Sequence, residues 1–373
     1  MTSNKNYVEK TKRNAAVDVA RGIGIILIAL GHNRLVLQDQ GEAFRVIYSF
    51  HLPLFFFLTG LYLRDTDRFG ASVAARFQSL LKPYFVVLLT AALLRWLVQL
   101  IPGRQDLTLR DHVIGVFWGS GGDWTPLWFL PHIFIAVLGA TAVLQVARHA
   151  QWRRPLIALA MGLLLVAGIF AIRAFEQNRL TMWPLFAWNN PKGLPWSLDL
   201  LPISMAWILA GYLLSRQVQT FRASWPVGLI ALALFVCLHL FFDEFIDLNL
   251  RVYGVPWIST LQAAAGIYLT LTLAVLLQRL GKWTEPLAYI GSGSLFILLF
   301  HAFVQGKAFN VIFRISPTLL LPGVISLVAA VVLPLIFWEL SKRSGLLSAL
   351  LLPQNRKTAS APNQLQAAMP RKP

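Results

Sequence analysis

Residues 15–37 read AAVDVARGIGIILIALGHNRLVL. Between Ala15 and Gly31 only Asp18 and Arg21 interrupt a run of apolar residues and glycines, and His32, Asn33 and Arg34 follow near its end. An α-helix needs about 20 such residues to cross the hydrocarbon core of a bilayer, so the stretch predicts a membrane helix. It carries Asp18 and Arg21 and no small-residue cleavage site follows it, so it is expected to be retained rather than removed as a signal peptide.

The same reading, carried along the chain, finds nine more windows: 44–63, 79–101, 127–147, 155–175, 197–215, 226–243, 257–278, 287–306 and 318–340. Composition agrees with it. The 373 residues are 57% hydrophobic and 13% charged, about half the charge of an ordinary globular domain, and their mean hydropathy is +0.61. This excludes a disordered chain, a coiled coil and a typical soluble enzyme. The sole cysteine, Cys237, rules out a disulfide within the chain and a thiolate zinc cluster. The expected fold is an all-α integral membrane protein of about ten transmembrane helices with no soluble domain. Residues 1–14 form a cytoplasmic N-terminal segment, 15–340 the membrane domain, and 341–373 a cytoplasmic tail whose Ala, Gln, Pro and basic residues predict disorder. The connection 107–118 is expected to lie as an interfacial helix.

The net charge of +17 raises the question of nucleic acid, and its distribution answers it. With the N-terminus inside, the inner segments hold 21 Lys and Arg against four acids, Glu9, Asp65, Asp67 and Glu285, while the outer loops balance ten bases against ten acids. The excess is a topology signal and an attraction to anionic lipid. Both termini are therefore expected in the cytoplasm, and no nucleic-acid partner is expected.

Ionisable groups at membrane depth are costly and mark function by default. On a helical wheel Arg21 and His32 fall about 20° apart, with Asp18 about 40° from His32, so the three share a stripe along which Arg21 and His32 are about 16 Å apart. The second window returns with His51 at comparable depth inside SFHLPLFFFLTG (49–60), where Pro53 removes a backbone donor. The ninth places His301 near its outer end, and the fourth opens on LWFL (127–130) with Trp128. An outer-half cavity of three histidines and an indole is the expectation. Neither an H-x-x-x-H pair nor a cysteine partner accompanies them, so no metal is expected. His112, His132, His149 and His239 make no pattern and read as interhelical or interfacial residues.

DVARGIGIILIALGH (18–32) and IYSFHLPLFFFLTG (47–60), followed by RFQSLLKPY (76–84), LWFL (127–130) and YIGSGSLFILLFH (289–301), together resemble the multi-pass membrane acyltransferase-3 family, in its branch related to fucose 4-O-acetylase and polysaccharide O-acetyltransferases. The resemblance implies transfer of an acyl group, most often acetyl, from a cytoplasmic acyl-CoA to a glycan hydroxyl across the membrane, with acetyl-CoA as a co-substrate and no tightly bound cofactor. The family's Arg-x10-His element falls on Arg21 and His32, which makes His32 the catalytic residue. Its Arg-x-x-Arg element, linked to the CoA donor, falls on Arg76 but meets Ser79, so Lys82 is the remaining candidate for a second cation. Arg21, Arg76 and Lys82 are thus the candidate donor-binding residues. His51 or Asn33 is expected to fix the imidazole tautomer or to donate to the oxyanion, and Asp18, Trp128 and His301 are supporting candidates. The outer tryptophans Trp118, Trp124, Trp183, Trp188 and Trp196 suit sugar stacking.

Two other classes compete. A transporter or flippase for a lipid-linked saccharide predicts repeated halves, and no internal repeat stands out. A glycosyltransferase using a polyprenyl-phosphate sugar needs acids in the first outer loop, where Asp39 and Glu42 have no distinctive spacing. GSGS (291–294) lacks the strand and lysine of a phosphate loop.

Overall fold

The structure is a computed structural model that describes residues 14–64, 69–99, 109–120, 124–176 and 193–354. Among the described residues fifteen α-helices follow one another. The first half of the chain holds α1 (Ala15–Gly31), α2 (Arg34–Leu37), α3 (Glu42–Gly60), α4 (Phe69–Arg76), α5 (Lys82–Gln99), α6 (Leu109–Trp118), α7 (Phe129–His149) and α8 (Arg154–Glu176). The second holds α9 (Leu201–Gln219), α10 (Trp225–Phe241), α11 (Pro256–Gln278), α12 (Glu285–Ser292), α13 (Ser294–Ile315), α14 (Leu320–Arg343) and α15 (Gly345–Leu351). Between α10 and α11 lies an antiparallel hairpin, β1 (Ile246–Asp247) and β2 (Val252–Tyr253), with Ile246 opposite Tyr253 and Asp247 opposite Val252.

Among the described residues eight helices are long and apolar enough to cross a membrane. α1 and α10, at 17 residues each, reach about 25 Å, short of the ~30 Å hydrocarbon core. The exterior matches a lipid solvent: Leu163 and Phe170 on α8, Leu240 and Phe241 on α10, and Val328 and Leu333 on α14 are all exposed.

Several boundaries differ from the sequence expectation, each for a local reason. The first window does not run unbroken to residue 37. Asn33 is extended and its side chain accepts from the Leu35 amide at 2.9 Å, which ends α1 at Gly31 and starts α2. The third window begins at Phe69 rather than 79, and α4 joins α5 through a widened π-turn at Phe77–Leu81. Pro83 has no N–H for the Ser79 carbonyl, and the Lys82 amide bonds back to Phe77 instead. The ninth window divides at Gly293 into α12 and α13, and α13 continues to Ile315. The expected disordered tail begins as helix. α14 runs to Arg343, and in α15 Leu351 is buried among the core residues. Residues 1–13 and 355–373, and Trp183 and Trp188, lie outside the described residues. The connection expected as an interfacial helix is α6, which packs on α5 through a Tyr84 hydroxyl bond to Val116 O (2.7 Å) and a His112 bond to Leu88 O (3.2 Å).

α1 is the central rod, in contact with α3, α11, α12 and α13. Small residues let backbones meet where helices cross. A Cβ on Gly22 of α1 would overlap the Leu287 carbonyl of α12, and one on Gly211 of α9 would overlap the Phe57 carbonyl of α3. The bundle has two ends: one carries Arg21, Lys82 and α15, and the other carries α2, the β-hairpin and Trp124.

Candidate active site

The break after α1 decides where His32 sits. As the residue that closes α1, it leaves the helical wheel and enters the space between α3, α13, the hairpin and the turn before α7. Asn33 holds that break in place. Its amide is fully buried and donates to Gly323 O (3.0 Å) and Ser326 Oγ (3.3 Å) of α14, while its oxygen caps α2. The Asn33 side chain is therefore committed to the scaffold, and it supports His32 by fixing the backbone that carries it.

Three histidines and the indole do converge. The His32 and His301 rings lie 5.4 Å apart, tilted by 47°. His32, His51, Trp128 and Asp247 line one cavity of about 150 Å³. His32, Arg34, Gln305 and Phe309 line a second of about 250 Å³. His32 thus stands in the partition between the two. The site lies deeper than expected. His51 is the middle residue of the 19-residue α3, and α13 runs fourteen residues past His301, so the layer is near mid-helix rather than near the outer end. The ninth window stops at 306, before polar Lys307 and Asn310, whereas α13 continues through both to Ile315.

Hydrogen bonds fix two of the rings. His301 Nδ1 lies 2.9 Å from Ile297 O and 3.1 Å from Leu298 O. Carbonyls only accept, so Nδ1 carries the proton and Nε2 is left as an acceptor. That Nε2 is buried and has no donor among the described residues. His51 Nδ1 likewise donates to Ile47 O at 2.9 Å, which turns the acceptor nitrogen outward. Tyr48 packs edge-on against the His51 ring, with centroids 4.8 Å apart. Gln305 donates to Ala29 O (3.1 Å) and leaves its own oxygen buried without a donor among the described residues. Acceptors therefore surround the His32 imidazole, whose ring lies against that of His301. Such a set suits an incoming N–H or O–H donor. Among the described residues no group of three metal-ligating side chains is disposed around an ion.

The donor-side candidates occupy the opposite end. Arg21 pairs with Asp18 at 3.5 Å and sits 5.9 Å over the Tyr62 ring. Along α1 it is about 16 Å from His32. Arg76 closes α4 at the π-turn, where Ser79 Oγ donates to its carbonyl at 3.4 Å. Lys82 is engaged elsewhere: its Nζ donates to Ala349 O (2.8 Å) and Leu352 O (2.6 Å), which caps α15. The other histidines are structural contacts. His132 bridges Trp196 O (3.2 Å) and Ser204 Oγ (2.7 Å), and His239 bonds Phe235 O within its own helix.

Sequence reasoning missed the hairpin. Asp247, Asn249 and Leu250 line the His32–His51 cavity, and the hairpin is anchored by Arg251. Its guanidinium meets Asp199 through Nε–Oδ2 at 2.9 Å and Nη2–Oδ1 at 3.1 Å, and Ser197 Oγ at 3.0 Å, all buried. Two-residue strands leave no periodicity to read. Gln305 was readable, since it lies one turn after His301 on the same helix face.

No curated protein and no solved structure gives a significant match to the chain. The acyltransferase-3 family model, described as an acyltransferase domain, matches residues 14–339. That range runs from the cap of α1 nearly to the end of α14 and takes in every residue around His32. The chain therefore belongs to the acyltransferase-3 family and is a multi-pass membrane acyltransferase.

Proposed function

We propose that the protein is an O-acyltransferase of a bacterial inner membrane that moves an acyl group, most simply acetyl, from cytoplasmic acyl-CoA to a hydroxyl of an extracytoplasmic polysaccharide or lipid-linked glycan. The observation that carries this reading is His32: a ring at the end of the central helix, between two cavities, with the acceptors His301 Nε2 and Gln305 Oε1 close by. His32 acts as general base. It takes the proton of the glycan hydroxyl while that oxygen attacks the thioester carbonyl. A C–O bond forms, the tetrahedral oxyanion collapses, the C–S bond breaks, and the imidazolium returns its proton to the departing CoA thiolate. His301 is the positioning residue: its ring lies beside that of His32, and its Nε2, which has no donor among the described residues, is free to accept the other N–H of His32 when the hydroxyl binds and so to set which nitrogen faces it. Arg21 and Arg76 hold CoA phosphates at the opposite end, and the thioester arm reaches along α1 to a site at mid-depth. Trp128 and the hairpin residues Asp247 and Asn249 take the sugar.

The test compares ester-linked acetyl on the cell-surface polysaccharide, by proton NMR before and after mild alkali, in wild-type, deletion and His32→Ala cells at matched membrane levels of protein. Loss of the esters in both altered strains is expected. Equal esters in all three would remove the reading and turn attention to transport of a lipid-linked saccharide.

A further inference from the structure

The surroundings of His32 and His51 are sorted by depth. Four elements each carry an imidazole or indole and, on the side toward Arg21, an apolar side chain that lines the cavity. On α1 Ile28 comes one turn before His32, and on α3 Leu52 follows His51. At the start of α7 Phe129 follows Trp128, and on α13 Leu298 comes one turn before His301, whose Nδ1 donates to the Leu298 carbonyl at 3.1 Å. The directions of the helices make these one layer. α3 leads to Tyr62 beside Arg21, α7 leaves from the Trp124 end, and α13 starts just after Gly291, where a Cβ would overlap the Asp18 carbonyl. All four apolar side chains are buried. The cavity therefore has a polar wall toward the hairpin and an apolar floor toward the cationic end.

We propose that this floor receives the hydrocarbon end of the acyl group and that Ile28 restricts that group to the size of acetyl. The proposal rests on the acyltransferase reading and adds to it the acyl group selected. Chemistry argues for the floor. The imidazoles, Asp247 and Asn249 offer hydrogen bonds to a sugar, whereas no side chain of the floor layer offers one, and an apolar chain gains by leaving polar surroundings for such a layer. Size argues for acetyl. The cavity is about 150 Å³, and an apolar cavity of roughly that volume holds one benzene molecule, about six heavy atoms. Acetyl transfer brings together the carbonyl carbon and oxygen, the sulfur, the methyl, the attacking oxygen and its carbon, which fill such a space. Butyryl adds two methylenes, and only the floor could give way to them. Position singles out Ile28. It projects about 20° from Arg21 around α1, on the stripe along which the donor arm reaches His32, so it is the last side chain of that stripe before the imidazole. A β-branched residue on a helix is held near one rotamer, which makes Ile28 the stiffest member of the layer.

The test is a competition between donors. Deletion cells carrying wild type or a variant are permeabilised, washed and given acetyl-CoA and butyryl-CoA together at equal concentration, each isotopically labelled. Acids released from the glycan fraction by mild alkali are separated and counted, with deletion cells as background. Their ratio reads relative kcat/KM and, unlike total activity, does not depend on how much of a variant folds. Wild type should favour acetyl by at least about tenfold, the lower scale for a methylene that a pocket excludes. Ile28→Ala should reduce that preference by about tenfold or more. Leu298→Ala, which keeps the carbonyl that holds His301, should shift it in the same direction. Ile172→Ala, the same truncation at a fully buried site of α8 outside the cavity, should leave it unchanged. A wild type that uses butyryl as well as acetyl, an Ile28→Ala variant that keeps the wild-type ratio, or an equal shift in Ile172→Ala overturns the proposal and leaves acyl transfer standing. If Ile28→Ala gives no product where wild type does, Leu298→Ala decides on the same terms. If neither acid exceeds background in wild type, the acyltransferase reading itself falls and takes this proposal with it.

Discussion

His32 stands at a place where the main chain, not the side chain, does the arranging. Asn33 turns the backbone out of α1 and bonds α14, so the imidazole is presented at a break rather than on a helix face. His301 then matters because its Nδ1 is already committed to two carbonyls, which obliges its Nε2 to accept. Replacing His301 with Ala should lower kcat for acyl transfer by roughly 10- to 100-fold, the scale seen when partners that orient a functional imidazole are lost, with the KM for acyl-CoA unchanged. His301→Gln retains an acceptor oxygen and should recover part of the loss. A rise in KM with kcat intact would instead make His301 a substrate contact. At this scale the sequence was legible where a polar residue interrupts an apolar run, as at Asp18, Arg21, His32, His51 and His301. It was not legible where residues distant in the chain meet, as when Asp199 and Ser197 receive Arg251.

Between elements, the structure distinguishes helices that meet backbone to backbone from those that face lipid. Gly211 of α9 has no room for a Cβ because the Phe57 carbonyl of α3 fills the space, whereas Gly162 of α8 has nothing within 4 Å. Gly211→Ala should therefore destabilise the protein by about 1–3 kcal/mol through overpacking. Gly162→Ala should be neutral or should stabilise by up to about 1 kcal/mol through helix propensity. Melting curves of both in detergent check the opposite signs. Lys82 poses a second question at this scale, because resemblance to the family offers it as a donor cation and the fold uses it to cap α15. Lys82→Met should raise hydrogen exchange in residues 345–351 without raising the KM for acyl-CoA, and the reverse pattern would restore the donor role. The long apolar helices were legible from hydropathy, whereas α15, in a segment expected to be disordered, was not. Helix ends were less so, because polar Lys307 and Asn310 lie inside α13 and the π-turn before Pro83 hides the continuity of α4 with α5.

For the whole molecule, charge and geometry both distinguish the two ends of the bundle. Loops at the end with Lys82 and α15 are rich in Lys and Arg, and the end with α2 and the hairpin is charge-balanced, which the positive-inside rule converts into an orientation. In the proposed orientation Arg21 and Arg76 would face the cytoplasm and the His32 cavities the far side, which would give the proposed reaction its direction. A single native cysteine, Cys237, makes it measurable. In a Cys237→Ser background, Thr318→Cys lies in the turn between α13 and α14 at the His32 end, and Ser224→Cys lies between α9 and α10 at the basic end; both positions are exposed. A membrane-impermeant maleimide added to intact spheroplasts should label Thr318→Cys at once and Ser224→Cys only after permeabilisation. The opposite order would place the histidine cavities on the cytoplasmic side, where acyl donor and acceptor would meet without crossing the bilayer, and transfer to an extracytoplasmic glycan would no longer follow from this architecture.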